Sequence, residues 1–313
     1  MAKDNDRGQN LIAKYVWVVE TIYRARRITF DALNRQWRKA EIGRGVDLPK
    51  RTFAHWIKGI KDMFGLTIEN ENKGEYRYYI ANEDDIRHNG LRSWVFNTVS
   101  VSNSLAHSQS VKQRILLEDV PSGQRHLEAI IQAMKANRVL NLTYQSYGHE
   151  ASRNFDVQPM CVKLFRRRWY LLAQGTYGRY AECGPLVYAL DRIHQLQPTD
   201  RTFALPKGWD AEEYFATCFG VMPDMNTAPQ LVRLKVDEKQ ACYFRSLPLH
   251  PSQDEDERNA AYSIFSFYLR PTYDFQQEIL RYGDKVEVLE PQWLRNEIAA
   301  RIQRMLNFYL PQS

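Results

Sequence analysis

Apolar residues recur at helical spacing from Leu11 to Arg27, where Leu11, Tyr15, Val18, Val19 and Ile22 share one face, and this predicts a first helix. Thr29 is placed to cap a second helix, FDALNRQWRKAE, in which Leu33 and Trp37 stand four apart and which Gly43 and Gly45 bring to an end. The third helix is the clearest in the chain. It begins at Pro49, whose missing N–H is harmless in a first helical turn, and stops at Gly65. Its apolar residues Phe53, Trp56, Ile57, Ile60, Met63 and Phe64 occupy about a third of the circumference, with Lys50, Arg51, His55, Lys58 and Lys61 on the opposite side. LTIENENKGEYRYYI then reads as two short strands about the polar turn Asn70 to Gly74.

The pattern loosens from Asp84 to Gly123, where Trp94, Val95, Phe96 and Val99, and later Ile115 to Leu117, predict a helical connector that is also a candidate for a dimer contact. A new domain is expected near Pro121. Leu127, Ile130, Ile131 and Met134 space a helix ending near Asn137, Val139 to Tyr147 alternates as a strand, and Phe155 to Met160 reads as another. VKLFRRRWYLLAQ, Val162 to Gln174, predicts a hairpin with Arg166, Arg167 and Arg168 at its tip, and Leu186 to Leu196 predicts one further strand. Several short strands after one helix predict a small barrel. Beyond Pro206 lies a linker-like stretch. LVRLKVD and AAYSIFSFYLR then read as strands with a helix between them, Tyr273 to Tyr282 as a helix, Lys285 to Leu289 as a strand, and Pro291 to Leu310 as a helix with Leu294, Ile298, Ile302, Met305 and Leu306 on one face.

Composition adds little until charge is divided along the chain. Residues 1–80 hold 16 Lys and Arg against 10 Asp and Glu, while residues 81–313 hold 27 of each, so the whole net charge of +6 arises in the first quarter. A localised basic excess is the electrostatic footprint of a module that meets phosphates. Three helices followed by a hairpin describe a winged helix-turn-helix, whose third helix enters the major groove. In that docking Arg51, Thr52, His55 and Lys58 reach base edges, and Lys50, Lys61, Lys73 and Arg77 reach phosphates of a double-stranded operator. A solvated basic helix face is the bland alternative.

Four cysteines, Cys161, Cys183, Cys218 and Cys242, are far apart without a Cys-x-x-Cys pair, which predicts reduced thiols and neither a disulfide framework nor a zinc site. No secretory leader and no apolar run near the roughly 20 residues needed to cross a bilayer is visible, so a cytoplasmic protein without membrane contact is expected.

Trp169-Tyr170-Leu171 after the basic tip, together with Asp191-Arg192-Ile193 about 20 residues on, resembles the WYL domain. The resemblance implies an SH3-like or Sm-like β-barrel that senses a nucleic acid or nucleotide within a bacterial transcription regulator, most often a repressor and a homodimer, in a family associated with phage defence and DNA damage. The C-terminal alternation, with Arg245 and Leu249 to Gln253, is similar to the extension commonly attached to WYL domains, a ferredoxin-like α/β unit. The fold class expected is therefore α+β and multidomain: a winged helix-turn-helix over 1–82, a connector over 83–121, the WYL domain over 122–206, and linker plus extension over 207–313.

Guanidinium groups beside aromatic rings suit a nucleotide or single-stranded nucleic acid. The candidate ligand residues are Tyr144, Arg166, Arg167, Arg168, Trp169, Tyr170, Tyr188, Asp191 and Arg192, joined through the resemblance by Arg245, Ser252 and Gln253. Trp169 has a competing place in the barrel core, and Asp191 with Arg192 a competing role as a structural ion pair. Ala189 stands where the resemblance leads us to expect Arg or another polar residue, which leaves room for a different ligand. A ligand-responsive regulator is the leading reading. The alternatives are a nucleic-acid-binding adaptor without an effector site and a nucleic-acid-processing enzyme. Against the last, the sequence shows no Walker loop, no Gly-x-Ser-x-Gly elbow and no metal-ligand spacing, so neither catalysis nor a cofactor is expected.

Overall fold

The computed structural model describes residues 2–71, 73–83, 123–148 and 151–310 of the chain, which divides into two compact units, Met1–Glu118 and Asp119–Ser313. The connector expected between residues 83 and 121 lies almost entirely outside the described residues.

In the first unit, α1 (Ala2–Ala25), α2 (Phe30–Lys39) and α3 (Lys50–Phe64) precede the antiparallel strands β1 (Ile68–Asn70) and β2 (Tyr78–Ile80). Helix α1 starts nine residues before Leu11; its first turns carry no apolar stripe, so hydrophobic spacing alone does not reveal them. The Thr29 hydroxyl accepts from the Ala32 N–H at 3.2 Å, and Gly65, at φ 67°, closes α3 by donating to the Lys61 carbonyl. Val18, Val19, Ile22, Leu33, Phe53 and Ile60 are buried together, and Trp37 meets Trp17 and Trp56 at ring separations of 5.1 and 5.4 Å. Each such aliphatic or aromatic side chain contributes about 1.5–3 kcal/mol on burial. Gly59 lets α3 approach α1, because a Cβ there would collide with the Tyr15 ring.

The second unit opens with α4 (Leu127–Lys135), followed by β3 (Arg138–Tyr144), β4 (Arg153–Phe165), β5 (Arg168–Gly175), the short α5 (Arg179–Glu182), β6 (Leu186–Ala189) and β7 (Ile193–Thr202). The strands form one antiparallel sheet in the order β6-β5-β4-β3-β7. The two expected strands Phe155–Met160 and Val162 onward are a single strand, β4, with an irregularity between Pro159 and Cys161. The single strand expected over Leu186–Leu196 is instead broken by a 3-10 turn at Leu190–Arg192, which carries the chain from one sheet edge to the other. Trp169, Leu171 and Ala173 face a core shared with Ile130 of α4 and with Leu140, Leu142 and Val157.

Residues beyond Thr202 form a connection containing one short helix, α6 (Ala211–Phe215), where the sequence shows only a linker. A βαββαβ unit follows: β8 (Gln230–Asp237), α7 (Glu238–Ser246), β9 (Asp254–Arg258), β10 (Tyr262–Leu269), α8 (Tyr273–Arg281) and β11 (Val286–Glu290), then α9 (Gln292–Tyr309). Its antiparallel sheet runs β11-β8-β10-β9. Strand β9, DEDER, carries no sequence signal, because a fully charged edge strand has no hydrophobic alternation to read. Among the described residues no helix is long and apolar enough to cross a membrane.

Candidate functional site

A cavity of about 600 Å³ in the second unit opens between strands β3 to β6 of the five-stranded sheet and the segment that leads into the C-terminal unit. Tyr144, Phe155, Tyr170 and Tyr188 give it aromatic walls, Arg153 and Arg192 supply positive charge, and Val221 to Asp224 with Asp274 face them. The volume lies in the usual range for small-molecule sites.

Each wall is held from behind. The Tyr144 hydroxyl accepts from the Ala189 N–H at 3.2 Å, and burial pushes its pKa above the ordinary phenol value. Arg192 lies with its guanidinium carbon 3.8 Å from the Tyr147 ring centre and 4.9 Å from that of Tyr144, while its Nε donates to the Gln145 carbonyl at 2.9 Å. On the other wall, Asp274 Oδ2 accepts from the N–H groups of Val221 and Met222 at 2.8 and 3.1 Å. Gly220, at φ 78°, makes that approach feasible, since a Cβ would strike the Asp274 carboxylate. Asp224 accepts from the Thr227 hydroxyl at 2.6 Å, which lowers its pKa and keeps it ionised. A guest would therefore meet rings, two guanidinium groups and two carboxylates at once.

Of the residues singled out in the sequence, Tyr144, Tyr170, Tyr188 and Arg192 line this cavity. The arginine triplet does not. Arg166 and Arg167 form the two-residue turn of the β4–β5 hairpin, both in the left-handed region at φ 47° and 67°, where Asn and Gly are the usual occupants. Arg166 pairs with Glu278 of α8, a side chain only 4% exposed, and Arg168 pairs with Asp191 at 2.9 Å. The expected partner of Asp191, Arg192, turns instead to Tyr144, Tyr147 and Gln145. Trp169 is buried in the sheet core, and Arg167 is an exposed turn residue.

The C-terminal cluster is internal scaffolding away from the cavity. Arg245 is clamped by Glu255 and Glu238, with nearest oxygens at 2.7 and 2.9 Å, and by the Ser263 hydroxyl at 2.8 Å. Gln253 donates to the Phe244 carbonyl and accepts from the Leu249 N–H, and Ser252 bonds His250 and the backbone of Tyr268. These contacts shape the loop after α7. Arg153, Phe155, Ser146, Met222 and Asp274 carry no sequence signal: they assemble from strands, loops and the first turn of α8, up to about 130 positions apart, and none belongs to a recognisable motif.

Comparison with known families decides what the sheet and its extension are. The model of the WYL domain matches residues 125–198, and that of the WCX domain matches residues 228–306. Residues 125–198 are thus a WYL domain and residues 228–306 a WCX domain. The cavity is therefore walled by the WYL domain on one side and, on the other, by the segment entering the WCX domain together with Asp274 of that domain. No curated protein matches the chain. Among solved structures it is similar to proteasome accessory factor B/C (PafBC) of Arthrobacter aurescens, with 16% identity and a TM-score of 0.39 over 96% of this chain and 48% of that one. It is also similar to a CRISPR Cas-related protein, with 12% identity and a TM-score of 0.39 over 96% of this chain and 85% of the other. The chain spans about half the length of the PafBC chain.

In the first unit, Lys50, Arg51, His55, Lys58 and Lys61 are exposed along α3, with Thr52 half-buried. The β1–β2 turn is less basic than its lysine and arginine imply. Arg77 sits 3.2 Å from Glu75 and 3.7 Å from Glu71, and Arg27 is 2.5 Å from Glu71, so carboxylates already occupy the Arg77 guanidinium, while Lys73 is exposed.

Proposed function

We propose that this WYL-domain protein is a DNA-binding transcription regulator, acting as a homodimeric repressor, whose cavity receives a nucleotide or the end of a single-stranded nucleic acid. The N-terminal unit is read as a winged helix-turn-helix, with α3 in the major groove. Arg51, His55 and Lys58 face base edges, and Lys50 and Lys61 face phosphates.

The observation that carries the sensor half is the cavity itself. Aromatic rings and Arg192 belong to the WYL domain, whereas the opposite wall belongs to the WCX side, so a guest there touches both. A ligand shifts a conformational equilibrium only by its difference in affinity for the two arrangements, and a site walled by two domains is where such a difference arises. The volume favours one or two nucleotides over a long strand threaded past the arginine turn.

Calorimetric titration of the full chain with a thymidine dinucleotide and with a single-stranded hexamer tests this reading. Saturable binding that weakens at least tenfold in Arg192→Met supports it. Equal binding by that variant, or no heat with either ligand, removes the cavity from the account and leaves a DNA-binding adaptor.

A further inference from the structure

A second cavity, about 310 Å³, lies where the connection from Phe203 onward crosses the face of the five-stranded sheet opposite its core. Its floor is Gln158 and Gln174, directly paired across β4 and β5, and its cover is Phe203, Leu205, Trp209 and Tyr214. Among the described residues no charged side chain lines it. A charged guest would lose hydration without gaining a counter-charge, so the site selects neutral molecules.

Two atoms of the cover are unexplained. The indole N–H of Trp209 and the hydroxyl of Tyr214 are shielded from solvent and have no hydrogen-bond partner. A buried polar group without a partner costs about 1–3 kcal/mol, and native structures keep very few. Both residues belong to the walls of the same cavity, both groups can donate, and the two rings lie 6.4 Å apart at 42°. Burial further raises the Tyr214 pKa, which keeps the phenol protonated as a donor.

We propose that this cavity is a second ligand site, distinct from the one walled by Arg192, which takes a neutral planar heterocycle bearing carbonyl acceptors, of the size of a bicyclic lactam. The flat ring lies among Phe203, Trp209 and Tyr214, its carbonyl accepts from the two orphaned donors, and the Gln158 and Gln174 amides meet its ring edge. Dispersion and ring stacking supply affinity, while the donors supply the preference for a carbonyl.

The test uses the full chain labelled with 5-fluorotryptophan, whose seven tryptophan signals are followed by ¹⁹F NMR, with Trp209→Phe assigning the Trp209 resonance. The probe is 2-quinolone. Controls are indole, which has no carbonyl, and 2-quinolone-4-carboxylate, which is charged. The proposal expects saturable movement of the Trp209 signal with 2-quinolone, binding at least tenfold weaker for both controls, about tenfold weaker binding in Tyr214→Phe, and unchanged binding in Arg192→Met. An unmoved Trp209 signal up to the solubility limit overturns it, as does indole binding equally well. Loss of binding in Arg192→Met overturns it too, by placing the probe in the first cavity.

Discussion

Arg168, the residue before the Trp-Tyr-Leu tripeptide, places a guanidinium nitrogen 2.9 Å from a carboxylate oxygen of Asp191, the first residue of the Asp-Arg-Ile segment. The two stretches by which the WYL domain is recognisable are therefore bonded to each other across the break between β6 and β7. Asp191 is 13% exposed at its side chain, and its other oxygen is buried without a partner. Arg168→Met leaves that carboxylate uncompensated and is expected to cost about 2–4 kcal/mol in urea unfolding, with Arg168→Met/Asp191→Asn recovering part of the loss. Additive losses in the double variant would show that the pair is not coupled.

Arg166 joins the hairpin turn to Glu278 of the WCX domain, and Glu278 also accepts from the Tyr282 hydroxyl at 2.8 Å and lies 3.5 Å from Arg281. The buried partner matters more than the half-exposed one. Glu278→Ala is expected to destabilise by about 2–3 kcal/mol, and Arg166→Ala by under about 1 kcal/mol, in the same unfolding measurement.

His250 is buried, with Nδ1 accepting from the Ser252 N–H at 3.2 Å. Burial first, and Lys163 second, hold its pKa below the ordinary imidazole value of about 6.5. The unfolded chain thus takes up the proton before the folded one, so this contribution to stability is complete above about pH 6.5 and is lost as pH falls below it. His126, lowered chiefly by burial, adds in the same direction. His250→Gln should lose some stability at pH 7.5 yet show a shallower decline to pH 5.5 than the parent; a parallel decline would exclude His250 from the effect.

On the DNA side, the pairing of Arg77 with Glu75 and Glu71 separates two residues that sequence treats alike. Arg51→Ala is expected to cost about 1–3 kcal/mol of specific binding, and Lys58→Ala a similar amount. Arg77→Ala should change affinity less than threefold and leave the salt dependence nearly unaltered. Anisotropy titrations across a salt series make the comparison.

Helices and caps were the legible part of the fold. Thr29 and Gly65 act where local chemistry says they should, because capping depends on residues one to four positions away, whereas Pro49, expected in the first turn of α3, stands one residue before it as an extended N-cap. The break at Leu190–Arg192 was hidden by continuous apolar character on both sides, and the DEDER strand by its complete absence. For the candidate site, Tyr170 and Arg192 were readable because they belong to the two motif stretches, and Tyr144 and Tyr188 because they sit on neighbouring strands. The opposite wall, Val221 to Asp224 and Asp274, is brought in by tertiary packing and carries no local signal. The arginine triplet misled in the other direction: a cationic tip reads as a ligand site, whereas two of its guanidinium groups are taken by Glu278 and Asp191.

The measurement that bears most directly on a cavity governing DNA binding is fluorescence anisotropy of the full chain on a duplex from its own upstream region, with and without the thymidine dinucleotide, in the parent and in Arg192→Met. The account predicts tight, salt-sensitive duplex binding by both proteins, and a shift of at least fivefold on adding the dinucleotide that only the parent shows. Specific duplex binding that the dinucleotide changes equally in both proteins, or in neither, would contradict it.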